Sequence, residues 1–171
     1  MDTYTAITTA LTVRQYRSEE VPIEVISRIL NSGRMTASAV NKQPWAFIVV
    51  QNKDTLRRIA EFSRTGRHIS GAAFAVAVII DPQNRWSTLD AARAVQNMTI
   101  QAWAEGLGSG WVGSFESDKV KELLSIPANL NLLTVIPFGY PTVKYIGKKK
   151  RKPFSEIVFA ENYGDPFQAR F

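Results

Sequence analysis

The spacing of apolar residues predicts an α+β fold, a three-layer sandwich with helices on both faces of one sheet. Three observations carry this. Helix-like and strand-like segments alternate along the chain. The run "AAFAVAVIID" at 72–81 is continuously apolar up to its closing Asp81, as expected of a strand covered on both sides. Residues 87–106 place small or apolar side chains on nearly every helical face, so that helix needs neighbours on several sides.

The elements follow in order. Residues 3–12 are expected to be helical, and Pro22 sits where a first helical residue would, opening "PIEVISRILNSGRM" with Val25, Ile26, Ile29 and Leu30 on one face. Strand "WAFIVVQ" spans 45–51. Helical spacing returns over 53–63 through Leu56, Ile59, Ala60 and Phe62. After the 72–81 strand, Ser87 and Asp90 form a capping-box-like start to the helix that runs to Gly106. Strand "SGWVGSF", helix "SDKVKELLS" and strand "LLTVIPFGYP" complete the core, and the tail "FSEIVFAENYG" holds one more strand-like run. With 171 residues, no repeat and no low-complexity linker, the chain is expected to be one domain, residues 1–171. The surplus apolar face of the 87–106 helix suggests a subunit interface.

Composition narrows the function. An apolar share of 45% and a charged share of 21% are those of a soluble globular protein. No stretch approaches the roughly 18 uninterrupted apolar residues of a membrane span, and "MDTYTAITTAL" lacks the features of a secretory signal. Cysteine is absent, which excludes disulfides, thiolate metal sites and cysteine nucleophiles and fits a cytoplasmic protein. The single histidine, His68, rules out a multi-histidine metal site and is expected at the surface or in a loop. A net charge of +6 points to anionic partners: nucleic acid, a membrane surface or phosphorylated small molecules. Its densest part is "GKKKRKP" at 147–153, which as a bare pattern also fits a solvated basic loop.

Two motifs bear on a site. "GSGWVG" at 108–113 matches G-x-G-x-x-G, but a helix precedes it and a strand follows, the reverse of a dinucleotide-binding unit. A glycine turn ending the helix at Gly106 and Gly108 explains it better, and such a turn lets a planar ligand approach backbone amides. The second motif is "SAVNKQPWAF" at 38–47. Pro44 pushes Gln43 into an extended conformation, so Asn41 and Gln43 should face the same way at the mouth of the sheet; taken alone, these residues also fit a polar loop whose amides cap their own backbone.

The polar loop "SAVNKQPW", the glycine-flanked "WVGSF", the N-terminal "TVRQY" and the late "KKKRKP" converge. From "TVRQYRSEEVPIEVISRILNSGRMTASAVNKQPWAFIVV" through "GLGSGWVGSF", "KVKELLSIP" and "IPFGYP" to "KKKRKPFSEIVFAENYG", the chain resembles the nitroreductase family of flavin-dependent oxidoreductases over nearly its whole length. The resemblance implies a mixed, mostly antiparallel sheet and FMN at the interface of a homodimer. It also implies a ping-pong cycle, in which NADH or NADPH reduces the flavin and a small acceptor such as a nitroaromatic or quinone reoxidises it. Thr12, Arg14, Lys149 and Arg151 fall where the family holds the flavin phosphate. Ser38, Ala39, Asn41 and Gln43 fall on its ribityl and ring-edge loop, in many members supplied by the partner subunit. Gly113 and Ser114 fall where backbone amides face the reactive ring nitrogen. No catalytic side chain is implied, because the cofactor carries the chemistry. Residues 154–171 would pack on the partner subunit.

The chain departs from the family pattern in places. Ala10 and Leu11 replace two usual arginines and Thr12 replaces a serine, so one phosphate contact is missing unless Lys148, Lys150 or Arg17 compensates. Ala37 replaces a proline. The segment that often forms a substrate lid, between 72–81 and 87–106, is nearly absent. A flavin-destroying or dehalogenating relative is an alternative within the family. A nucleic-acid-binding protein using "KKKRK" is the alternative outside it, with only Tyr145 and Phe154 flanking the run.

Overall fold

The computed structural model describes residues 1–144 and 149–168. Tyr145, Gly147, Lys148 and residues 169–171 lie outside the described residues. The helices are α1 (Thr3–Thr9), α2 (Ile23–Arg34), α3 (Lys53–Glu61), α4 (Ser87–Ala104) and α5 (Ser117–Leu123). The strands are β1 (Trp45–Val50), β2 (Phe74–Ile80), β3 (Gly108–Ser109) and β4 (Asn131–Gly139). They form one antiparallel sheet in the order β1-β2-β4-β3.

Strand alternation divides the core into two layers. Phe74, Val76, Val78 and Ile80 of β2 point into a cluster with Ile26 and Ile29 of α2 and Ala91, Val95 and Met98 of α4. The intervening Ala75, Ala77 and Ile79 point the other way, onto Leu56 and Ile59 of α3 and Val120 of α5. All seven β2 residues are buried, so the apolar 72–81 run is the doubly covered strand its composition requires. The α+β sandwich is therefore borne out. Among the described residues no helix is long and apolar enough to cross a membrane.

Several local expectations are corrected. The first helix stops at Thr9, because Thr12 pairs with Ser109 and the Val13 amide bonds the Ser109 carbonyl, which draws residues 12–13 onto the sheet edge. The 109–115 strand shrinks to Gly108–Ser109 plus single bridges at Val112 and Phe115. Glycines on both sides of Val112 weaken the ladder there, and the Val112 carbonyl accepts from the Thr134 hydroxyl at 2.8 Å. In the tail, the described residues form a 3-10 turn at Phe154–Glu156 and a lone Phe159–Pro166 bridge instead of a strand. A strand needs a ladder partner, and among the described residues none lies beside this segment.

The capping box at the start of α4 is also absent. The N-cap position is Trp86, with no side-chain cap. The Ser87 hydroxyl donates to the carbonyls of Asp81 and Asn84, and Asp90 serves a distant loop. Nor is α4 buried on all sides: Leu89 is 60% exposed, and Arg93 and Gln96 are exposed as well.

Candidate functional site

A cleft of about 290 Å³ opens between α1 and α4 at the β3 edge. Its lining includes Ala10, Leu11, Thr12, Ser109, Lys149 and Arg151 on one side, and Ala92, Val95, Gln96, Thr99 and Trp103 of α4 on the other, with Trp111 adjoining. Thr12 is held there by its bridge to Ser109. Lys149 is held by a 2.5 Å bond from its side-chain nitrogen to the Ile7 carbonyl, near the end of α1, where a cation meets unpaired carbonyls. Desolvation, and then the charge of Arg151, lowers the pKa of Lys149 below its ordinary value. Two cations and a hydroxyl thus face one opening. Ammonium and guanidinium groups together match the charge and oxygens of a phosphate.

A larger groove of about 640 Å³ adjoins the cleft and shares Trp103, whose indole nitrogen donates to the Thr9 hydroxyl at 3.0 Å. Its lining is mainly apolar, with Met1, Pro141 and Val143, and it holds Arg17 and Lys144. Arg17 is already engaged by Glu19 at 3.0 Å and by the Tyr140 ring. The smaller cleft is the stronger candidate because its cations converge.

Arg14 does not line that cleft. It lies close enough to His68 for its charge to act on the imidazole, which burial first and Arg14 second hold below the ordinary histidine pKa. His68 belongs to a 3-10 turn at Arg67–Gly71, so the loop expectation holds; the residue is half-buried, and its Nε2 is buried without a hydrogen bond of good geometry, beside Gly110. Gly108 and Gly110 admit the chain itself and not a ligand. A Cβ at Gly108 would sit 2.2 Å from the Val13 side chain, and one at Gly110 would sit 2.8 Å from the Val13 carbonyl. Gly106, with φ +82°, ends α4 as expected. Gly113 is different: it is exposed, and a Cβ there would meet only Trp111 at ordinary contact. The Ser114 carbonyl next to it accepts from the Arg64 amide at 3.0 Å.

The polar loop is a strained turn and not an extended segment. Val40, Asn41 and Gln43 have φ of 46°, 55° and 49°, left-handed values uncommon outside glycine. Gln43 escapes the extended conformation expected before Pro44 because two bonds close the loop: its amide donates to the Ser38 hydroxyl at 2.9 Å, and its carbonyl accepts from the Trp45 amide at 2.8 Å. Its side-chain amide donates to the Asn41 carbonyl at 3.2 Å, so Gln43 turns into the loop. Asn41 is exposed. The Ala39 amide donates to Asp90 of α4 at 2.9 Å.

Within one chain, then, Thr12, Lys149 and Arg151 come together. Arg14, the 38–43 loop, Gly113 and Ser114 lie outside the cleft lining. Sequence reasoning missed Asp90, Trp103, Trp111, Gln96 and Thr99. For Asp90 the available signal was the single acid of this helix.

The sequence model of the Nitroreductase family matches residues 7–77 and 67–140. The chain belongs to the nitroreductase family. A Methanothermobacter thermautotrophicus protein provisionally named NADH dehydrogenase/NAD(P)H nitroreductase is 35% identical over 150 residues, spanning 82% of this chain and 78% of its own. The crystal structure of a similarly named Bacteroides thetaiotaomicron protein superposes with a TM-score of 0.86 at 28% identity, over 94% of this chain and 98% of that one. An FMN-dependent nitroreductase of Clostridium difficile shares the fold, with a TM-score of 0.86 at 23% identity over 94% and 99%. This nitroreductase-family chain is an oxidoreductase.

Proposed function

We propose that the chain binds FMN in clefts shared by the two subunits of a homodimer and uses NADH or NADPH to reduce a small acceptor, a nitroaromatic or quinone, by a ping-pong cycle. The convergence of Thr12, Lys149 and Arg151 on one cleft carries this reading. Their hydroxyl, ammonium and guanidinium donors fit a phosphate, and the indoles of Trp103 and Trp111 give the same opening apolar walls. Bound FMN would supply the hydride chemistry. The chain's own residues would hold the phosphate and shape the walls, and the backbone amides of exposed Gly113 and half-buried Ser114 would face the ring. Arg14 would lie further along the same ligand.

The geometry of α4 supports a shared site. At about 100° per residue, Asp90 and Asn97 lie on a stripe roughly 150° around the helix from the cleft-lining Ala92, Gln96, Thr99 and Trp103. The exposed Leu89 and Arg93 fall between the two stripes. A second copy packed on this intervening face would set the 38–43 loop of one subunit beside the cleft of the other. The same reading takes residues 1–171 as one domain of a cytoplasmic protein, with residues 154–171 packing on the partner.

The test is anaerobic spectroscopy of the purified protein after FMN addition and removal of free flavin. Retained flavin bands that NADH or NADPH bleaches, and that a nitroaromatic or quinone then restores, are expected. Absent flavin bands, or bands that neither nicotinamide bleaches, would sink the reading.

A further inference from the structure

Asp90 is nearly buried, at 4% exposure, in the first turn of a helix whose other buried positions are all apolar or small. Its Oδ2 accepts the Ala39 amide at 2.9 Å across 51 positions of sequence, and Arg93 reaches its Oδ1 at 3.5 Å. Two turns further on, the Asn97 side-chain amide donates to the buried Thr36 hydroxyl at 2.7 Å. Positions seven apart fall on one helical stripe. One stripe of α4 therefore grips the chain just before, and at the start of, the turn in which Val40, Asn41 and Gln43 are left-handed. Left-handed conformations at such residues are unfavourable and persist only where surrounding structure enforces them.

We infer that Asp90 is a positioning residue for the flavin edge: through the Ala39 amide it clamps the 38–43 turn in the one geometry that presents Ser38 and Asn41 to a ligand. This rests on the FMN reading for the identity of the ligand, and on the geometry alone for the clamp. The acceptor is a carboxylate held in a nearly dry setting, where a bond to a charged group is strong and its loss leaves the amide unsatisfied. Because α4 also lines the phosphate cleft with another stripe, the same helix sets both halves of the proposed site, and Asp90 acts on the ring half only.

The test uses two variants and two readouts. In the flavin-free protein, hydrogen exchange at the Ala39 amide is expected to be slow in the wild type and at least about tenfold faster in Asp90→Ala. Asp90→Asn, which keeps an acceptor oxygen in place, should stay within about threefold of the wild type. In titrations, Asp90→Ala should weaken FMN and riboflavin by the same factor, roughly tenfold, since the loop serves the part of the ligand that both share. Unchanged exchange at Ala39 would overturn the clamp. Faster exchange with both flavin affinities intact would overturn the positioning role and leave a purely structural contact, as would a lowered melting temperature as the only effect. A wild type that binds neither flavin would instead refute the proposed function, and the exchange data would still decide the clamp.

Discussion

The side-chain nitrogen of Lys149 lies 2.5 Å from the Ile7 carbonyl, fastening the late basic segment to the N-terminal helix and so placing Lys149 and Arg151 beside Thr12. Arg151→Ala should weaken FMN by about 1.5–3 kcal/mol, the loss of a charge-assisted hydrogen bond. Riboflavin, which has no phosphate, should bind the wild type far more weakly and lose little further in the variant. Equal losses for both ligands in calorimetric titrations would mean that Arg151 acts through folding.

Lys149 adds a pH dependence. Its pKa is lowered below the ordinary 10.5 by desolvation and by Arg151, and a bound phosphate favours the ammonium form. FMN affinity should therefore fall as pH rises through that lowered pKa, starting on the acid side of 10.5. Lys149→Ala should remove this slope. A slope identical in the variant would assign it to another group.

His68 has the opposite consequence for stability. Its pKa in the folded protein lies below the ordinary 6.5, mainly through burial and then through Arg14. The unfolded chain protonates first, so unfolding takes up a proton and stability declines as pH drops below about 6.5, levelling off under the folded pKa. Urea midpoints measured from pH 7.5 to 5.5 should show this decline in the wild type and a shallower one in His68→Gln. Parallel curves would refute it.

Strain in the polar loop predicts a trade. Val40 is 87% exposed with φ 46°, a conformation Asn tolerates much better than a β-branched residue. Val40→Asn should stabilise the protein by about 0.5–1 kcal/mol. Thermal or urea unfolding that shows no gain would mean the turn is not held under strain.

The helices and the central strand were legible because their signals are local. Val25, Ile26, Ile29 and Leu30 repeat at helical spacing, and nothing polar interrupts Phe74–Ile80. The cleft was not legible in that way. Thr12 and Lys149 lie near opposite ends of the chain, and only the family resemblance set them together; both line one cleft, whose lining does not include Arg14. Asp90 was misread because an acid early in a helix looks like a local cap, whereas its partner, Ala39, lies 51 positions away. The left-handed run at Val40, Asn41 and Gln43 was hidden for a related reason. Valine and glutamine give no hint of positive φ, which closure of the loop by Ser38 and Trp45 imposes.

The cleft of Thr12, Lys149 and Arg151 should hold a flavin that carries a phosphate. Equilibrium titration of the flavin-free wild type with FMN and with riboflavin, followed by quenching of flavin fluorescence, decides whether it does. FMN should bind at least about tenfold tighter than riboflavin, the share expected of charge-assisted phosphate bonds. Equal binding of the two, or binding of neither, would mean that the cleft is not a phosphate site for FMN.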